Sequence, residues 1–109
     1  MTRAVERSLD DVVTACARIQ EYADDPTLPE AVVADAVRMR LVDIASSVRE
    51  LPPAMTATEP TIPWARLAAL GEQLTRRPSD TPASVLLNTA RTDVPALRDA
   101  VERLRGHCP

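Results

Sequence analysis

Chemistry in this chain would have to be done by arginine. All 13 basic residues are Arg, and the single His stands at position 107 beside Cys108. An Arg holds a phosphate or carboxylate through its planar fork but stays charged at any ordinary pH. It therefore supplies binding and charge stabilisation rather than proton transfer. The densest group is Arg76-Arg77, directly before Pro78, with Arg66 one stretch earlier. Arg38 and Arg40 form a second set between Asp35 and Asp43, and two readings stand for them: ligand contacts, or a solvated edge paired with those aspartates. His107 and Cys108 offer too few ligands for a metal. Cys16 falls on an apolar helical stripe and reads as a small core residue. No nucleophile elbow, Gly-rich phosphate loop, zinc spacing or paired-carboxylate motif occurs. With two Gly and one His, acid–base or nucleotide-cradling machinery is hard to assemble. Neither enzyme activity, metal nor cofactor is expected.

The elements that must position these arginines are helices. The stretch Thr61 to Pro78 reads TIPWARLAALGEQLTRRP. Thr61 is placed as an N-cap and Pro63 in the first turn, where a missing N–H costs nothing. Trp64, Leu67, Ala68, Leu70 and Leu74 recur at steps of three and four and make one face apolar. Gly71 interrupts that face; inside a helix it costs about 1 kcal/mol relative to Ala, so it points to close approach of another helix. Pro78 ends the helix and leaves Arg76 and Arg77 in the last turn, where cations complement the dipole.

Elsewhere the pattern is similar. Ser8 is placed as the cap of a first helix, with residues 1–7 fraying or extending it. Leu9, Val12, Val13, Cys16, Ile19 and Ala23 form its stripe, Tyr22 its rim, and Asp24-Asp25-Pro26 its end. Pro29 opens a second helix with a stripe of Val32, Val33, Ala36, Val37, Ile44, Val48 and Leu51, ending at Pro52-Pro53. Met39, Leu41 and Val42 fall outside the narrowest stripe, so this helix is apolar over more than one face, as a homodimer contact would require. Residues 52–60 read as a loop. Thr81-Pro82 starts a last helix that runs to Gly106, kinked where Pro95 removes a hydrogen bond.

Four helices with short connections predict an all-α antiparallel bundle, one domain over 1–109 with its core at about 8–105 and a tail at 106–109. Apolar residues make up 45% but aromatics only 2%, and Phe is absent, so the core must be aliphatic. A net charge of −3 argues against whole-surface binding of nucleic acid. No signal-peptide pattern or membrane-length apolar run is present, so a cytoplasmic protein without membrane contact is expected.

From Ser8 to Leu104 the chain resembles a HEPN domain of the HepT-like family. The matching pieces are Asp35-Ala36-Val37, the Leu51-Pro52 helix end, Ile62-Pro63-Trp64, and Thr92-Asp93-Val94-Pro95-Ala96-Leu97. The first three keep register without gaps between Asp35 and Trp64, and Ile62-Pro63-Trp64 is the most specific. HEPN ribonucleases use an Arg, four intervening residues and a His, often followed two residues later by a Tyr in HepT-like proteins. Counted from Ile62-Pro63-Trp64, the Arg position here is Gly71, the His position Arg76 and the Tyr position Pro78. All three are lost, so the resemblance implies a degenerate, non-catalytic member.

HepT-like proteins resemble one half of toxin–antitoxin pairs whose other half is a small nucleotidyltransferase. The usual member is the toxin, silenced by nucleotides attached to its Tyr. With toxic residues and acceptor both gone, the resemblance implies reversed roles: a nucleotidyltransferase toxin held by this chain as a dimeric antitoxin. Arg66, Arg76 and Arg77 are the candidate partner contacts, because nucleotide sites are acidic around their metal ions; helix-end capping and solvation are the competing reading of the same residues, and the favoured one. The alternatives are an RNA-binding or ribonuclease toxin with a degenerate motif, and a scaffold dimer with an unrelated partner.

Overall fold

Prolines and small polar caps divide the chain into helices. The computed structural model describes residues 2–106. Among them run α1 (Arg3–Ala23), α2 (Glu30–Arg49), the single turn α3 (Pro53–Thr56), α4 (Trp64–Arg76), a 3-10 turn at Pro78–Asp80, and α5 (Ala83–Gly106). The expected all-helical class holds, and the four long helices are the four predicted. The tail readings for His107 and Cys108 lie outside the described residues. No helix among the described residues is long and apolar enough to cross a membrane.

Three helix starts differ from expectation. Thr2, not Ser8, caps α1, its hydroxyl accepting from the Val5 N–H at 3.2 Å. Ser8 is buried more than a turn inside the helix, because the earlier cap lets the helix start sooner. Pro63, not Thr61, occupies the N-cap position of α4. The supposed loop after α2 contains α3, since Pro53 is preset for a first helical turn. Between α1 and α2 the Asp25 carboxylate accepts from the Thr27 hydroxyl at 2.6 Å and the Thr27 N–H at 2.9 Å. These bonds hold the Asp25 carboxyl below its ordinary value. Pro95 sits inside a continuous α5. It has no N–H for the Arg91 carbonyl, but Arg91 is exposed, so water can replace the lost donor.

The central helix is α2, which packs against α1, α4 and α5, while α1 also packs on α5. Asp10 pairs with Arg105 at 3.1 Å and Gln20 accepts from Arg98 at 2.6 Å, so α1 and α5 run antiparallel. Arg49 reaches the start of α4 while Met39 and Val42 lie beside its end, which makes α2 and α4 antiparallel as well. The core is aliphatic: Leu9, Val12, Cys16 and Ile19 of α1 meet Val37, Leu41 and Ile44 of α2 and Leu86, Val94 and Leu97 of α5. Leu41, expected off the stripe, is fully buried; a helix touching three others buries a wider arc than a surface helix.

The link from α2 to α4 is fastened at Glu59. Its carboxylate takes a two-pronged bond from Arg103 of α5, at 2.7 and 3.1 Å. Its carbonyl accepts the Trp64 indole N–H at 3.0 Å and the Ile62 N–H at 3.2 Å. Replacing Trp64 by Phe keeps most of the ring but leaves the half-buried carbonyl one donor short. We expect a loss of about 1 kcal/mol, seen as a drop of roughly 4–8 °C in Tm by circular dichroism for a chain of this size. An unchanged Tm would mean that the indole bond does not hold the link.

Candidate functional site

The residues that carry the sequence-level site sit on α4 and just beyond it. Leu67, Gly71 and Leu74 form the buried stripe that faces α2. Gly71 is where the two helices come closest. A Cβ added there would overlap the Ala45 Cβ outright, and would lie 3.5 Å from the Ala45 Cα and 3.6 Å from the Leu41 carbonyl oxygen. The close approach expected from Gly71 is therefore present, and its partner is the small side chain of Ala45. Position 71 points into the bundle, so a long cationic side chain placed there would meet α2, not solvent.

The three arginines lie on the outside. Arg66, Arg76 and Arg77 are each about three-quarters exposed, and each has an acidic neighbour. Arg66 pairs with Asp93 of α5 at 3.4 Å, Arg76 with Glu72 at 2.9 Å, and Arg77 with Asp80 at 3.8 Å. Glu72 is also 3.8 Å from Arg49, whose guanidinium donates to the Ala68 carbonyl at 3.1 Å. Arg76 and Arg77 share a shallow depression with Ala69, Glu72 and Gln73. Arg66 lies ten residues earlier, about 15 Å along the helix axis, and does not join them. Such exposed pairs contribute at most about 1 kcal/mol each and leave the guanidinium faces open to a partner. Pro78 starts the 3-10 turn, and Arg77 adopts an extended φ of −139° that ends α4.

Around α2 the second arginine set forms the paired edge rather than a cluster. Arg38 bonds Asp35 at 2.6 Å and Arg40 meets Asp43 at 3.4 Å. The Tyr22 hydroxyl beside Arg40, helped by Asp43, favours its charged form and raises its pKa further. Sequence reasoning did not foresee the groove between α2 and α4, lined by Met39, Val42, Leu74 and Pro78 with Asp35, Arg38 and Thr75. Its signal was the pair Met39 and Val42, off the main stripe; what hid it was that Leu74 comes from a different helix and Pro78 from the turn after it.

Among the described residues no three His, Cys, Asp or Glu side chains group to hold a metal ion. Cys16 is fully buried, and burial pushes its thiol up to about 12. It is a core residue, not a nucleophile.

Two outcomes follow from this geometry. Gly71→Ala gains helix propensity of about 1 kcal/mol but meets a neighbour held by backbone, so net destabilisation of about 1–3 kcal/mol is expected in urea unfolding. The double variant Gly71→Ala, Ala45→Gly returns the missing space and should recover part of that loss; stabilisation by Gly71→Ala alone would overturn the close approach. In a Cys108→Ser background, the Cys16 thiol should react with a thiol reagent only on unfolding. Because its folded pKa is raised, its contribution to stability is complete below the ordinary thiol value of about 8.5. That contribution is lost as pH climbs toward about 12. Burst labelling of the native protein would place Cys16 at the surface.

Compared with known proteins, the chain matches no family model, no curated protein and no solved structure.

Proposed function

We propose that this chain is a non-catalytic antitoxin of HEPN type, which inhibits a nucleotidyltransferase toxin by direct contact and acts as a homodimer in the cytoplasm. The observation that carries the reading is the geometry at Gly71. The position that aligns with the family's phosphate-holding Arg is a glycine closed against Ala45. The position that aligns with the proton-handling His is Arg76, an exposed side chain paired with Glu72. That combination has neither an inward-reaching cation nor a group that titrates near neutrality, and it retains what a binding surface needs. Arg76 and Arg77 lie side by side at the end of α4, and their pairing with Glu72 and Asp80 is weak enough for acidic groups of a partner to displace. An RNA-binding role is disfavoured instead by the chain's net charge of −3.

The test is co-expression with a nucleotidyltransferase encoded next to this chain, scoring growth and co-purification together. Restored growth with a stable complex is the expected outcome. Growth arrest by this chain alone, with a harmless transferase, would return the ribonuclease reading and remove ours. Within a confirmed complex, the double variant Arg76→Ala, Arg77→Ala should weaken binding at least tenfold. Undiminished binding would move the contact elsewhere on the surface.

A further inference from the structure

The helices α1, α2 and α5 close on one another as a triangle, each packed against the other two, whereas α4 has one extensive interface, with α2. The triangle encloses Val12 and Ile19 of α1 and Leu86 and Leu97 of α5 completely, while α4 buries only Leu67 and Leu74 beside Gly71. Its polar ties to the triangle lie in solvent. Arg49 donates to the Ala68 carbonyl at 3.1 Å and stands 3.8 Å from Glu72, and Arg66 meets Asp93 at 3.4 Å. Exposed pairs of this kind add little. The chain is nevertheless fixed on either side of α4. Before it, Glu59 is gripped by Arg103 of α5 at 2.7 and 3.1 Å. After it, Thr81 is buried at the start of α5, its hydroxyl accepting from Gln73 at 3.4 Å.

Away from α2, this helix would not persist. It has 13 residues with Gly71 near its centre, and isolated helices shorter than about 12–15 residues are marginal in water even without a glycine. Undocking and melting are therefore one event. The close approach at Ala45 makes that event all-or-none, since a gap of an ångström already forfeits much of the dispersion gained there. We infer that α4 is a hinged element: the stretch between Glu59 and Thr81 leaves α2 and melts as a unit while α1, α2 and α5 stay folded. This opening is far more frequent than unfolding of the whole chain. Arg76 and Arg77 are set side by side by the docked helix end, so the motion makes and unmakes that surface. The hinge is independent of the antitoxin reading, because it follows from packing alone.

Native-state hydrogen exchange of the full chain tests this, read by NMR where exchange rates report the population of the open form. Amides from Ala68 to Thr75 should exchange together, at least about 100-fold faster than those in the middle of α1 and α5. Urea should speed them only slightly, because little surface opens, and should speed the α1 and α5 amides steeply. Two variants separate the steps. Ile19→Val trims the triangle and weakens the docked and opened forms alike. It should speed exchange in α1 and α5 about 3- to 10-fold and leave α4 unchanged. Gly71→Ala acts on the docked form alone and should speed α4 by the same factor by which it lowers overall stability. If the α4 amides share the rate and urea slope of α5, or quicken with Ile19→Val as those of α1 do, then α4 opens only with the whole chain and the inference is overturned. Indifference of the α4 amides to Gly71→Ala would reduce the opening to fraying of the helix ends, and would overturn it as well.

Discussion

The meeting of Gly71 with Ala45 is the constraint on which the placement of α4 depends. α1, α2 and α5 support one another through three mutual interfaces, but α4 relies on α2. Its hold comes from a short stripe, Leu67, Gly71 and Leu74, and a stripe of three residues buries enough only if the helices come very close. Two small residues permit that, and dispersion contacts fall off steeply with a gap of even an ångström. Near the start of α4, Arg49 adds a bond to the Ala68 carbonyl. At the other end the same closeness draws Leu74 and Pro78 up to Val42 and forms the groove. The glycine thus sets both how α4 is held and what surface it leaves.

The rest of the fold is held by ordinary means. Each buried Leu, Ile or Val contributes about 1.5–3 kcal/mol, and three helices share most of these residues. The surface ion pairs at helical spacing, such as Arg38 with Asp35 and Arg76 with Glu72, decide little about stability. Glu59 is different because its bonds join distant segments. Its mostly covered carboxylate ties the link before α4 to α5 through Arg103, while its carbonyl fixes Trp64. Without this anchor the connection from Glu50 to Pro63 would be tied only at its ends and at α3.

Much of this was legible in the sequence, for identifiable reasons. The long helices announced themselves through apolar spacing of three and four, and through prolines at 26, 29, 52, 78 and 82. Gly71 was legible because an unfavourable residue inside a strong helix needs a packing reason. Cys16 was legible from its stripe. The cap at Thr2 was missed because Thr2 and Ser8 are both competent caps, and only the chain before Ser8 could decide between them. Leu41 was misplaced because a single-helix pattern does not say how many neighbours the helix has. The groove and the Glu59 anchor join residues tens of positions apart, and no local spacing encodes them. As for the arginines, the sequence gathered Arg66 with Arg76 and Arg77 by nearness in the chain, and the helix rise separates them.

The packing of α1 on α5 also governs the order in which the core can close. The pairings of α1 with α2 and of α2 with α4 join neighbours in the chain and need only short loops. The pairing of α1 with α5, by contrast, brings Asp10 to Arg105 across nearly the whole sequence. Its loop-closure entropy is the largest in the fold, and α5 is the last of these helices to leave the ribosome. During synthesis the face of Leu9, Val12, Cys16 and Ile19 therefore waits half-covered on α2. Arrival of Leu86, Val94, Leu97 and Val101 completes the core, so a chain cut short before α5 would present an adhesive surface rather than a smaller version of the same bundle.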